Sequence, residues 1–103
     1  MSGIDLPAAN RAIVEAILRR QLPVASVVWV FGSRAIGWAR AYSDLDLAID
    51  AGRVLSLDEM AGLRDDFTES DLPWLVDVVD CRGVSDGFRA IIAALLVKLL
   101  VIG

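Results

Sequence analysis

The chain is 103 residues long, which fits one domain over residues 1–103 and leaves no room for a second. Its hydrophobic fraction of 56% supplies a packed core, and its formal charge of −4 lacks the overall basic footprint of a protein that lives on nucleic acid. Histidine is absent, which excludes histidine general bases, Ser-His-Asp triads and histidine-rich zinc sites together.

The first ten residues show no positive segment followed by an apolar run, so no secretory leader is expected. Residues 8–22 read as a helix. Ile13, Val14, Ile17 and Leu18 form its apolar stripe, with Arg11, Glu15, Arg19 and Arg20 outside it, and Pro23 ends it. Residues 24–31 are rich in β-branched and aromatic side chains and read as a strand that Gly32-Ser33 breaks. Residues 34–42, punctuated by Gly37, read as a short helical turn or loop. Residues 44–50 alternate at period two, with Leu45 and Leu47 on one face and Asp44 and Asp46 on the other, the pattern of a strand. Ser56 and Glu59 then match a capping box, which opens a helix carrying Met60, Leu63 and Phe67 on one face.

Residues 74–81 form the next expected strand. Its end holds the single cysteine, Cys81, which reads as a small apolar residue; a lone thiol suits a reducing compartment. A last helix is expected over about residues 88–100. The apolar run over 90–102 is interrupted by Lys98 and is shorter than the roughly 20 residues that span a bilayer. No membrane association is expected, and a cytoplasmic protein is the simplest account. The order α-β-turn-β-α-β-α points to an α/β domain, a small mixed β-sheet flanked by helices. The second strand, the capped helix and the third strand form a β-α-β unit, whose right-handed crossover makes those strands parallel and neighbouring.

The chemistry concentrates in Phe31-Gly32-Ser33, ten further residues, then Asp44-Leu45-Asp46. Aspartates at i and i+2 of a strand point the same way, with Cα atoms roughly 6.5 Å apart. Their carboxylates can share hard cations, and Mg²⁺ suits them because it takes a few carboxylates and completes its shell with water and phosphate oxygens. Asp77, inside the apolar strand Leu75-Val76-Asp77-Val78-Val79, is a third candidate. On a neighbouring strand it could lie beside the first pair, and three like charges there would call for a cation. Gly32-Ser33 allows close backbone approach to a phosphate, Ser33 adds a hydroxyl donor, and Arg34 could pair with a phosphate oxygen. Taken singly, each feature has an ordinary explanation as a wet strand face, an edge charge or a turn; their order and spacing together do not. Gly32 and Gly37 have the spacing that opens a P-loop, but Trp38 and Ala39 stand where lysine and a hydroxyl residue are required, so a P-loop is not supported.

This constellation resembles the minimal nucleotidyltransferase (MNT) domains of the DNA polymerase β-like superfamily. Their hG[GS]…Dh[DE]h motif, and its tighter form G-S-x₁₀-D-x-D, stand here as Gly32-Ser33 and Asp44-Leu45-Asp46-Leu47. Ser43 and the strand Val76-Asp77-Val78-Val79-Asp80 also match, and the resemblance runs from the first helix to Phe88-Arg89. One departure is Ile36, where the family's turn often carries a second arginine; Arg40 is a possible substitute. The resemblance implies a polymerase β-like core in which Asp44, Asp46 and Asp77 are catalytic and hold two Mg²⁺ ions. Gly32, Ser33, Arg34 and Ser43 bind the nucleotide, ATP. It further implies an antitoxin that transfers AMP to a tyrosine of a nearby-encoded HEPN-domain ribonuclease toxin; the net charge of −4 makes direct nucleic-acid binding unexpected. Two alternatives stay open: adenylylation of a small molecule such as an aminoglycoside, and a non-catalytic antitoxin that acts by binding. An apolar surface on the last helix, from Ile91 and Ile92 to Leu99, is a weak sign of a partner.

Overall fold

The computed structural model describes residues 4, 6–32, 34–35, 43–93 and 96–103. Ser33, Ile36, Arg40, Leu95 and most of the expected turn over 34–42 lie outside the described residues. In chain order the elements are α1 (Ala8–Gln21), β1 (Val27–Phe31), β2 (Leu45–Asp50), α2 (Leu57–Thr68), β3 (Val76–Asp80), α3 (Asp86–Ala93) and β4 (Val97–Val101). Four strands form one sheet in the order β3-β2-β1-β4. β1 is antiparallel to β2 and β4, and β2 is parallel to β3. The sheet is therefore mixed, and the parallel pair is the one that the crossover through α2 requires.

The two long helices end where their chemistry says they should. Arg19 and Arg20 occupy the last turn of α1, against the negative end of the helix dipole. At the start of α2 the Ser56 hydroxyl accepts from the Glu59 N–H at 3.1 Å, and the Glu59 carboxylate accepts from the Ser56 N–H at 2.9 Å. The guanidinium of Arg53 also grips Glu59, and together these bonds hold its carboxyl down to about 2.

Strand alternation decides what the core is made of. Leu45, Leu47 and Ile49 of β2 and Val28 and Val30 of β1 are fully buried, and so are Val14, Leu18 and Leu63 of the helices. All belong to one cluster between the helices and one sheet face. Asp46 and Asp50 point from β2 to the other face. There Ala48 packs with Cys81, which is buried, its thiol pushed above its ordinary range first by that burial.

The expected last helix is shorter, and its second half is a strand. β4 pairs with β1 through Val27↔Val101, Val28↔Leu100, Trp29↔Lys98 and Val30↔Val97, which leaves Leu99 as an extra residue between two ladder positions. This bulge turns both Leu99 and Leu100 into the core. Consecutive buried leucines erase the period-two signature, and an unbroken apolar run does not separate strand from buried helix. Leu99, Leu100 and Ile102 thus belong to this chain's own core, and the helical apolar surface expected to extend to Leu99 does not exist as such.

Candidate active site

The acids are brought together by register. Leu45 and Leu47 must enter the core, so Asp46 is forced to the opposite face of β2. The parallel ladder sets Asp46 directly beside Asp77 on β3, and the antiparallel ladder sets it opposite Phe31, the last residue of β1. Neighbouring strands lie about 4.8 Å apart, so the Asp46 and Asp77 side chains rise next to one another. Asp44 precedes β2 and is exposed; the Leu45 N–H that follows it donates to the Leu75 carbonyl at 2.9 Å, which ties this end of the strand to β3.

Gly32 follows Phe31 with φ +76, a left-handed conformation that side chains rarely adopt. A Cβ at this position would collide with Oδ2 of Asp46. Glycine is therefore required twice, once by the backbone bend and once because the Asp46 carboxylate occupies the space.

Arg34 and Ser43, both expected at the nucleotide, are joined to each other. Arg34 is only 3% exposed. Its Nε–H donates to the Ser43 carbonyl at 3.0 Å, and its guanidinium lies over the Trp74 ring, 4.3 Å from the centroid. Sequence reasoning missed Trp74. Its only signal is an aromatic residue just ahead of the Asp77 strand, and nothing in the spacing connects it to Arg34.

Residues 13–97 match the family model described as polymerase beta, nucleotidyltransferase. The chain belongs to this nucleotidyltransferase family. It is 45% identical over 89 residues to the probable protein adenylyltransferase MntA of Haemophilus influenzae, an alignment covering 86% of this chain and 77% of that protein. Among solved structures, a crystal structure of a toxin–antitoxin with AMP-PNP superposes with a TM-score of 0.75 at 26% identity, over 88% of this chain and 73% of that one. The MNT antitoxin complexed with tri-AMPylated Shewanella oneidensis HEPN toxin shares the fold, with a TM-score of 0.69 at 24% identity over 89% of this chain and 70% of that one.

The electrostatics of this nucleotidyltransferase follow from the geometry. Partial burial pushes the Asp46 carboxyl above its ordinary range, and the negative charges of Asp77 and then Asp44 push it further. Among the described residues, none of these three carboxylates has a hydrogen-bond or ion-pair partner. Nor do three acidic or thiol side chains among them converge into a ready metal cage. The donor set nevertheless fits Mg²⁺, which binds through one or two carboxylates and takes its other ligands from water and phosphate rather than from an all-protein cage. Adjacent, uncompensated aspartates are what a hard cation and a triphosphate would complete.

Two clefts lined by described residues contrast with this surface. One, of about 260 Å³, lies along Phe67, Leu72, Trp74 and Val76 and carries no ionisable side chain. The other, of about 490 Å³, is lined by Asp50, Arg53, Arg82 and Arg89, at the opposite ends of β2 and β3 from the acids. Arg82 and Arg53 are already bonded to Asp50 and Glu59 there. No helix among the described residues is long and apolar enough to cross a membrane.

Proposed function

We propose that this nucleotidyltransferase is an antitoxin that transfers AMP from ATP to a tyrosine of a partner HEPN-domain ribonuclease toxin. The observation that carries the reading is the 45% identity to the probable protein adenylyltransferase MntA over 86% of the chain. The likeness to a toxin–antitoxin that holds an ATP analogue supports it. Residues 1–103 act in this reading as one catalytic domain, and the reaction belongs in the cytoplasm, where ATP and the toxin's substrate RNA are found.

Asp44 and Asp46 would hold two Mg²⁺ ions, with Asp77 completing one site; bound there, the metal neutralises the triphosphate and acidifies the attacking hydroxyl. Gly32 and Ser33 would bind the phosphates, the role that the family motif implies for this pair. An Asp77 carboxylate oxygen accepts the proton of the tyrosine hydroxyl as the phenolic oxygen bonds to the α-phosphorus and pyrophosphate departs. Positioning and charge neutralisation account for most of the acceleration, as they do throughout phosphoryl chemistry. Ser43, one residue before Asp44, would help to bind the nucleotide, the role that the family motif implies for it.

The test is to incubate the protein with labelled ATP, Mg²⁺ and the HEPN toxin encoded beside it. Label on a toxin tyrosine, lost in the Asp44→Asn/Asp46→Asn protein, is the expected result. A double variant that still neutralises the toxin as well as the native chain would show that binding alone suffices. Label on aminoglycosides and never on protein would move the acceptor to small molecules.

A further inference from the structure

We propose that Arg34 is a positioning residue which locks the three chain segments of the site into one geometry, and that it does not act as a ligand of the triphosphate. The proposal rests on the nucleotidyl-transfer reading for its kinetic consequence, but not for its structural one.

The acids and the glycine bend come from separate parts of the chain: the end of β1, the start of β2 and the start of β3. Strand pairing aligns β2 and β3 once they have formed, but it does not reach the residues just outside the ladder, which include Gly32, Asp44 and Trp74. Arg34 spans that gap. It follows the bend by two residues. Its Nε–H holds the Ser43 carbonyl, the peptide group next to Asp44. Its flat guanidinium covers Trp74, the buried residue that precedes the Leu75 carbonyl accepting from Leu45. One side chain thus links the Gly32 bend, the Asp44-Leu45-Asp46 run and the approach to Asp77.

Burial decides between the two roles. A phosphate ligand must show its N–H groups to solvent in the nucleotide-free protein, or move to do so. Arg34 is 3% exposed, with one edge on a carbonyl and one face on an indole. Withdrawing it toward a phosphate would give up both the hydrogen bond to the Ser43 carbonyl and the stacking on Trp74. Arginine also fits the positioning task better than lysine, because only a planar guanidinium can stack on a ring and donate in its own plane at once.

The experiment compares Arg34→Gln, Arg34→Lys and Trp74→Leu with the native chain. AMP transfer to the toxin gives kcat and KM for ATP, and amide hydrogen exchange of the nucleotide-free protein reads Leu45, Asp46 and, as a control, α1. Positioning predicts that all three variants lower kcat by about 100-fold, the scale of an ångström-level misplacement, with KM within about twofold. It also predicts that exchange at Leu45 and Asp46 rises about tenfold or more while α1 is unchanged. Trp74→Leu leaves Arg34 in place and so keeps the test open if the arginine variants fold poorly. A raised KM for ATP in Arg34→Gln, with Arg34→Lys restoring it and Trp74→Leu inert, would overturn the proposal in favour of a phosphate ligand. A native chain that transfers nothing to any acceptor would sink the nucleotidyl-transfer reading instead, and unchanged exchange in all three variants would sink the positioning role whatever the activity.

Discussion

Asp46 and Asp50 stand on the same face of β2, four residues apart, yet the protein treats them in opposite ways. Asp50 accepts from Arg82 at 2.6 Å and from the Gly52 N–H at 2.9 Å, and those bonds hold its carboxyl below the ordinary range. Asp46 is raised, by burial and by two neighbouring aspartates, with no described partner. β3 repeats the contrast. Asp80 is buried and accepts from the Leu55 N–H at 2.7 Å and the Arg82 N–H at 3.0 Å, whereas Asp77 is exposed beside Asp46. A fold that can satisfy acids at one end of two strands has left them unsatisfied at the other. Such local conflict persists where a ligand is meant to resolve it, and it is the physical mark of the candidate site.

The comparison breaks most easily at Asp46. Asp46→Asn should lower AMP transfer by about three orders of magnitude, the rate equivalent of the several kcal/mol that carboxylate-held metal supplies. The same substitution should raise the thermal midpoint at neutral pH. A carboxyl raised in the fold ionises at a cost, so stability falls as pH climbs past the unfolded value of 3.8, and the amide removes that cost. A less stable, inactive Asp46→Asn protein would mean that the carboxylate is a structural group.

Gly32→Ala tests the neighbouring bend. It should reduce transfer by about 100-fold through displacement of Asp46. The left-handed backbone should cost about 1–3 kcal/mol as well, measurable by urea unfolding. At the satisfied end the order reverses. Asp80→Ala should cost about 3 kcal/mol, since two backbone N–H groups lose a charged acceptor, while Asp50→Asn, on an exposed pair, should cost less than about 1 kcal/mol. Equal losses at Asp50 and Asp80 would show that burial does not separate them. The finest test is carboxyl NMR without metal. Asp46 should titrate above 3.8 and Asp50 below it, so the two ends of one strand contribute to stability in opposite directions as pH falls. A shared midpoint would erase the contrast.

Much of this was legible in the chain itself. Leu45-Asp46-Leu47 reads directly as in, out, in, because the strand period is two. Ser56 and Glu59 announce α2 because the capping bonds span three residues and need nothing from elsewhere in the fold. The parallel pairing of β2 and β3 follows from the handedness of a crossover. β4 was hidden, since the bulge that buries Leu99 and Leu100 together exists only when β1 lies alongside. The Arg34–Trp74 contact was hidden for the same kind of reason, because no local rule ties a side chain to a ring so far along the chain.

The sequence by itself determined the periodicities, the caps, the glycine-serine break and the spacing of the acids, all of which depend on near neighbours and on the geometry of a peptide chain. Only the tertiary structure decided which of the four strand aspartates would be satisfied, that Gly32 would be filled against by Asp46, and that Arg34 would be buried on an indole. Those outcomes depend on register between strands, and register is settled by the packing of the whole core.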